Sequence, residues 1–303
     1  MPIHSSSTFV QDGVGGLREG YEYARTANPT RTALETCLAA LEGGLHGRAF
    51  ASGMAASDVL LRATCRPGDH IVIPDDAYGG TFRLIDKVFR HWGIEHTAVG
   101  QSDLDAVRAA MRPNTRLVWC ETPTNPLLNI ADVAALAAVA HEADARLVVD
   151  NTFATPYLQT PLPLGADVVL HSTTKYLGGH SDVIGGALIT DDAELDEQVA
   201  FLQNGAGAVP GPFDAWLTLR ESRPWRCGWS DTVTTPSGSS LRCRRTRPSP
   251  VCAIPVWPPT VAMRSPPSRC AGSVESSRSP SKVVSRRRWL SAPAPGCSPW
   301  PSR

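Results

Sequence analysis

The stretch DVVLHSTTKYLGGHSD, residues 167–182, joins a short apolar run to a segment of hydroxyl residues, paired glycines and a single lysine. Apolar residues at consecutive positions, as in Val168, Val169 and Leu170, are typical of a strand buried on both faces of a mostly parallel sheet. The polar segment then lies at the carboxyl end of that strand, where α/β proteins gather their ligands. Lys175 is therefore either a solvated lysine at a strand end or a functional amine.

Segments with helix and strand periodicity alternate along most of the chain. Apolar residues recur at helical spacing in residues 28–43, 53–65, 81–93, 132–144 and 192–205. Short apolar runs suited to strands occupy residues 70–75, 116–122, 146–151, 167–172 and 185–190. This alternation predicts an α/β domain with a mostly parallel sheet flanked by helices.

The composition changes sharply after Arg220. Residues 1–220 contain 15 Lys and Arg against 26 Asp and Glu, whereas residues 221–303 contain 14 against 3. The second segment also holds 14 of the 26 prolines, 5 of the 8 cysteines and 5 of the 8 tryptophans, and it has no apolar periodicity. We therefore expect the globular domain to end at Arg220.

Residues 1–220 show no sign of a membrane protein or a metal protein. They contain no apolar run near the roughly 18 residues that a membrane span needs, and Met1 is not followed by a basic segment and an apolar region. Cys37, Cys65 and Cys120 have no CxxC or metal-ligand spacing. We expect a cytoplasmic protein without a metal, a membrane partner or a nucleic-acid partner.

Polar candidate residues follow predicted strands or open predicted helices. Asp150 closes the strand RLVVD and is either a ligand carboxylate or the cap of the following turn. Ser52, Gly53 and Met54 open a helix, where free amides and a hydroxyl suit a phosphate, although serine is also an ordinary N-cap. Tyr78 either stacks on a planar ligand or is a loop aromatic.

These groups together suit one cofactor, pyridoxal phosphate (PLP). It needs an amine for a Schiff base, a carboxylate that keeps its pyridine nitrogen protonated, a phosphate site and a flat aromatic face. Lys175 and Asp150 fit the first two requirements.

Eight sequence blocks carry a family resemblance. They are SSTF (6–9), YEYARTANPTR (21–31), SGMAA (52–56), DDAYGGTFR (75–83), ETPTNP (121–126), VVDNTF (148–153), HSTTKYLGGHSD (171–182) and GPFDAWLTLR (211–220). In order and spacing they resemble the Cys/Met-metabolism family of PLP enzymes. The resemblance covers nearly all of residues 1–220 and implies the large domain of a fold-type I PLP-dependent transferase.

The resemblance also implies a role for each matching position. Lys175 would form the Schiff base and then act as a mobile acid and base, while Asp150 would hold the pyridine nitrogen and Asn125 would contact the phenolic oxygen. Tyr78 would stack on the ring and, with Tyr23, is a further candidate catalytic residue. The phosphate would be bound by Ser52, Gly53, Met54, Ser172 and Thr174 of the same chain and by Tyr23 and Arg25 of a neighbouring chain. A homo-oligomer, a tetramer in the family, is therefore expected.

The implied activity is transsulfuration on a small amino-acid substrate. The nearest resemblance is to bacterial cystathionine γ-synthases and γ-lyases, and Gly80 disfavours methionine γ-lyase. The synthase reaction, which converts O-succinylhomoserine and cysteine into cystathionine and succinate, is our first expectation, and cystathionine γ-lyase is the second. A third hypothesis is a chain that binds PLP without significant turnover.

Both ends of the chain depart from the family. Residues 1–27 are interpreted as the remnant of a longer N-terminal arm, and residues 28–220 as the PLP-binding domain. The family continues after TLR with G-(I/L)-K-T-L, where this chain reads ESRPW (221–225). Loss of one G from CGG-GGA-ATC-AAG-ACC-CTG would turn RGIKTL into RESRP followed by the first bases of a Trp codon. We therefore expect residues 221–303 to be a frameshifted, disordered tail that lacks the family's arginine for the substrate carboxylate.

Overall fold

The computed structural model of the chain describes residues 1–222, so the expectations for residues 223–303 lie outside the described part. One seven-stranded sheet has the order β1-β7-β6-β5-β4-β2-β3. The strands are β1 (His46–Phe50), β2 (His70–Pro74), β3 (Glu95–Val99), β4 (Thr115–Glu121), β5 (Arg146–Asp150), β6 (Val168–His171) and β7 (Gly186–Thr190). The α-helices are α1 (Pro29–Glu42), α2 (Gly53–Thr64), α3 (Gly79–Arg83), α4 (Leu104–Ala110), α5 (Val133–Glu142), α6 (Thr155–Leu158), α7 (Ala193–Ala206) and α8 (Pro212–Ser222).

The sheet is mostly parallel, as the sequence predicts. Parallel pairing joins β3, β2, β4, β5 and β6, whereas β7 runs antiparallel to both β6 and β1. β1 therefore points the same way as the parallel strands. The carboxyl ends of β1, β2, β4, β5 and β6 all meet at one edge of the sheet.

Helices cover both faces of the sheet, which explains the continuous apolar runs. In β4, Leu117 and Trp119 belong to the core cluster under α2, whereas Val118 and Cys120 belong to the cluster under α5. All four side chains are fully buried. Because alternate residues of a strand point to opposite faces, a strand covered on both sides must be apolar at every position.

Four of the five predicted helices begin at side-chain caps. Asn28 accepts from the amides of Thr30 and Arg31 at the start of α1, and the side chain of Asp192 caps α7. The helix expected over residues 81–93 consists of three consecutive helical segments of different types. The α-helix α3 is followed by a π-helical turn (Leu84–Val88) and a 3₁₀ turn (Phe89–Trp92). A further 3₁₀ turn spans Leu162–Leu164.

Residues 1–27 lie against the start of α1. Asn28 Nδ2 donates to the His4 carbonyl at 2.8 Å, and the Arg31 guanidinium donates to the carbonyls of Ala24, Arg25 and Thr26. At the other end, α8 extends past the expected boundary at Arg220 to Ser222, the last described residue. No helix within residues 1–222 is long and apolar enough to cross a membrane.

Candidate active site

A cavity of about 230 Å³ lies at the edge of the sheet where the parallel strands end. Asp150 is the last residue of β5, and Ser172 follows the last residue of β6. Glu121 is the last residue of β4, and Ser52 lies between β1 and α2. The strand order makes β4, β5 and β6 neighbours, so their terminal side chains converge.

The cavity brings together every residue that the sequence predicts to bind the cofactor from its own chain. Those that line it are Ser52, Gly53, Met54, Tyr78, Asn125, Asp150, Ser172, Thr174 and Lys175. Tyr23 and Arg25 do not line it. The Arg25 guanidinium lies 5.5 Å from the centre of the Tyr23 ring, and Tyr23 is 41% exposed. Their expected role at a neighbouring chain's site stays a prediction.

The N-terminus of α2 forms one wall of the cavity. Ser52 is extended (φ −165°, ψ 162°), and its Oγ accepts from the Ala55 amide at 3.0 Å, so it is an N-cap as well as a lining residue. The first amides of a helix have no acceptor within the helix. A Cβ on Gly53 would lie 2.9 Å from the Ser172 Cβ. Glycine therefore allows the helix to begin directly against Ser172.

The loop after β6 carries Lys175 into the cavity. The Ser172 amide donates to Thr152 Oγ1 at 2.8 Å. Thr174 Oγ1 accepts from the Gly185 amide at 3.1 Å and lies 3.2 Å from the Gly185 carbonyl oxygen, to which its hydroxyl donates. These bonds hold the loop on both sides of Lys175, which lines the cavity while remaining open to solvent.

Asp150 presents its carboxyl group at the end of β5. The pKa of Asp150 is raised, because the effect of burial is larger than the lowering by hydrogen bonds from Thr152 and by the interaction with nearby His171. Asp150 Oδ1 accepts from the Thr152 amide at 3.1 Å, so the turn-capping interpretation of this residue also holds. A desolvated carboxyl group of this kind gains from a cationic partner, which favours the charged form.

Tyr78 lies on the loop after β2, where glycine makes room for its ring. A Cβ on Gly80 would lie 2.4 Å from Tyr78 Cε1 and 2.9 Å from Met54 Sδ. Tyr78 is 40% exposed and lines the cavity. It offers a flat aromatic face beside the start of α2.

Sequence reasoning missed Glu121, a buried acid in the cavity wall. Burial, and then the charge of neighbouring Asp150, raises the pKa of Glu121 to about 8. Its carboxyl oxygens accept from the Tyr78 amide at 2.8 Å and from the Asn125 amide at 3.0 Å. The signal was present, since Glu121 ends the run RLVWCE as Asp150 ends RLVVD.

The residues of the cavity fit PLP. They supply an amine (Lys175), a half-buried acid (Asp150), the amides and hydroxyl of a helix N-terminus, and an aromatic face (Tyr78). These are the groups that the aldehyde, the pyridine nitrogen, the phosphate and the ring require. Among the described residues there is no cluster of three or more His, Cys, Asp or Glu side chains that could hold a metal ion.

Known proteins share this sequence and fold. A cystathionine γ-synthase of Mycobacterium tuberculosis is 70% identical over 220 residues, which cover 73% of this chain and 57% of that protein. The crystal structure of metB from Corynebacterium glutamicum matches with a TM-score of 0.74 and 56% identity, covering 75% of this chain and 59% of that one. The crystal structure of a cystathionine γ-lyase of Lactobacillus plantarum in complex with L-serine matches with a TM-score of 0.72 and 50% identity. The match covers 75% of this chain and 58% of that one.

The chain spans less than three fifths of the length of these relatives. The solved relatives confirm the fold-type I large domain, and the sequence model of one family matches residues 1–223. This chain belongs to the Cys/Met metabolism PLP-dependent enzyme family.

Proposed function

We propose that this chain is a PLP-dependent transsulfuration enzyme of the cystathionine γ-synthase type, which acts on O-succinylhomoserine and cysteine. The observation that carries the proposal is the meeting of Lys175 and Asp150 in one cavity with the N-terminus of α2. The high identity to a named γ-synthase supports the choice of reaction.

Each group in the cavity has a physical task. The free amides of α2, with Ser52 and Ser172, would bind the cofactor phosphate. Tyr78 would cover one face of the ring, Asn125 would donate to its phenolic oxygen, and Asp150 would keep the pyridine nitrogen protonated. Bound PLP supplies an electron sink that stabilises negative charge on the substrate carbons. The Lys175 amine, once free of the cofactor, would move protons at the substrate Cα and Cβ.

Cystathionine γ-lyase remains the second candidate. Both reactions remove the γ-substituent of a homoserine-type or cystathionine substrate, and the γ-lyase of Lactobacillus plantarum shares half of the aligned residues. The two activities are separated by the preferred substrate, cysteine plus O-succinylhomoserine for the synthase or cystathionine alone for the lyase.

We further propose that residues 28–220 form the PLP-binding domain and that residues 1–27 belong to an N-terminal arm. Tyr23 and Arg25 would serve the phosphate of a neighbouring chain in a cytoplasmic homo-oligomer. Both residues are exposed and neither lines the cavity of its own chain, which supports this assignment. A guanidinium group suits the task, because it pairs bidentately with phosphate oxygens.

The test uses the only two lysines in residues 1–222, Lys87 and Lys175. The full chain is mixed with PLP, its visible absorbance is recorded, and the cofactor is fixed by borohydride reduction for peptide mapping. Lys175→Ala should abolish the absorbance band and the label, whereas Lys87→Ala, at an exposed lysine paired with Asp86, should change neither. A label on Lys87, or a folded parent chain that stays colourless, would overturn the proposal.

A further inference from the structure

Glu121 joins the two loops that carry Tyr78 and Asn125. It is 6% exposed, at the carboxyl end of β4. Its Oε2 accepts from the Tyr78 amide at 2.8 Å, and its Oε1 accepts from the Asn125 amide at 3.0 Å. One carboxyl group therefore fixes the backbone positions of two residues that lie in different loops and face the same cavity.

A second acid joins the same loops farther from the cavity. Asp76 Oδ2 accepts from Thr124 Oγ1 and from Asn129 Nδ2, the latter at 3.0 Å. These donors are side chains, and Asp76, Thr124 and Asn129 do not line the cavity. Asp76 therefore stabilises the contact between the loops, whereas Glu121 sets the positions of the residues that face the cavity.

The position of Glu121 is electrostatically unfavourable. Its carboxyl group is buried, with Asp150 on the neighbouring strand and Asp76 on the loop after β2 both opposing its ionisation. Only an ionised carboxylate accepts both amide bonds at full strength, because a protonated oxygen is a weaker acceptor. A cation beside Asp150 offsets the repulsion and strengthens both bonds.

We propose that Glu121 is a positioning residue that holds Tyr78 and Asn125 at the spacing needed to enclose the cofactor ring. This inference rests on the proposed function, since it takes the two residues to contact PLP. Glu121 itself need not touch the cofactor. It acts through the backbone of its two partners and through its proximity to Asp150, its register partner on β5.

The matched variants are Glu121→Gln and Asp76→Asn. In Glu121→Gln one oxygen becomes an NH₂ group that opposes a backbone amide, so one buried donor loses its acceptor. In Asp76→Asn the remaining oxygen still accepts from Thr124 or Asn129, and the Tyr78 and Asn125 amides keep their partner. Comparison of the two separates the positioning of cavity residues from general loop stability.

The first measurement needs no cofactor. Amide hydrogen exchange is followed by mass spectrometry in the full chain, on peptides spanning residues 75–83 and 121–129. Loss of an acceptor by one buried amide should accelerate exchange about tenfold in at least one of the two peptides in Glu121→Gln, and by less than about twofold in both peptides of Asp76→Asn. Unchanged exchange in Glu121→Gln would overturn the proposal whatever the cofactor does.

The second measurement uses PLP itself. Glu121→Gln should weaken PLP binding about tenfold and change the visible circular dichroism of the bound cofactor, which reports the groups around its ring. Asp76→Asn should change neither. Equal effects in both variants would reduce Glu121 to a structural role and overturn the proposal. A parent chain that binds no PLP would refute the proposed function and the ring-positioning role, while the exchange result would still report the contact between the loops.

Discussion

Glu42 Oε1 lies 2.5 Å from His171 Nε2, and both side chains are 1% exposed. Asn151 Nδ2 donates to the same carboxyl oxygen at 2.8 Å. Asn151 directly follows Asp150, and His171 directly precedes Ser172. This buried network therefore joins the end of α1 to the ends of β5 and β6, where Asp150 and Ser172 line the cavity.

Removal of the Glu42 carboxyl group should strongly destabilise the domain. Glu42→Ala leaves His171 without its partner and removes one of the two acceptors of Asn151 Nδ2, which keeps only the Gln159 carbonyl. A buried polar group left without its partner costs about 1 to 3 kcal/mol of unfolding free energy. Asp58→Ala is the control, because Asp58 pairs with Arg62 on one turn of the half-exposed helix surface and should cost about 0.5 kcal/mol. Urea unfolding of both variants measures the difference, and equal losses would contradict the prediction.

A methyl group at Gly80 should weaken cofactor binding without unfolding the domain. In Gly80→Ala the new Cβ would lie 2.4 Å from Tyr78 Cε1, so the ring must move from its position beside Met54. Overpacking of this kind costs about 1 to 3 kcal/mol of free energy. If this cost falls on the PLP-bound state, we expect PLP affinity to decrease about tenfold. The neighbouring variant Gly79→Ala meets only a flexible Arg83 nitrogen at 3.3 Å and should bind PLP normally. Similar affinities for both variants, measured by titration of the visible absorbance, would refute this role of Gly80.

The interior strands of the sheet could be predicted from the sequence, but the two outermost strands could not. The five predicted strands correspond to β2, β4, β5, β6 and β7, all of which have neighbours on both sides. The missed strands, HGRAF in β1 and EHTAV in β3, are the two edges, and each is partly exposed. Edge strands carry polar residues that discourage pairing with other chains, so they lack the apolar run that marks an interior strand.

Site residues whose side chains perform a chemical task could be predicted from the sequence. A residue that acts through the backbone of its neighbours could not. Lys175 and Asp150 are recognisable because few side chains offer an amine or a carboxylate at a strand end. Glu121 has the same placement, but its partners are backbone amides, whose positions depend on how two loops fold together. The π-helical turn within the predicted helix 81–93 was missed for a similar reason, since apolar spacing alone does not distinguish helix types.

Glu121 should also make the stability of the domain depend on pH. Its pKa rises from an ordinary 4.5 to about 8 in the folded chain, so between these values the folded state holds a proton that the unfolded state has released. Stability from this group is therefore greatest below pH 4.5 and is lost as the pH rises towards 8. The difference in unfolding free energy between the parent and Glu121→Gln, measured by urea unfolding across this range, should shift against the parent as pH rises. A difference that stays constant would contradict the prediction.

The last prediction concerns the sequence after Arg220. The alignments cover 220 residues, and the family model stops at residue 223. We interpret the residues that follow as the family sequence shifted by one nucleotide. The arginines of residues 221–303 occur in contexts such as RCRRTR and SRRRW, unlike the family motif whose arginine holds the substrate carboxylate.

Restoring the reading frame at the Arg220 codon should therefore raise activity far more than it raises PLP binding. Loss of a bidentate arginine clamp on the substrate carboxylate costs on the order of 10²-fold in rate, because the substrate is no longer held in a reactive orientation. The two forms of the gene are expressed in parallel, and kcat/KM is measured for O-succinylhomoserine plus cysteine and for cystathionine. We expect both proteins to show the PLP band that depends on Lys175, with turnover at least about 10²-fold higher in the restored form. Equal kcat/KM in the two forms would refute the frameshift interpretation, and the substrate preferred by the restored form would distinguish γ-synthase from γ-lyase.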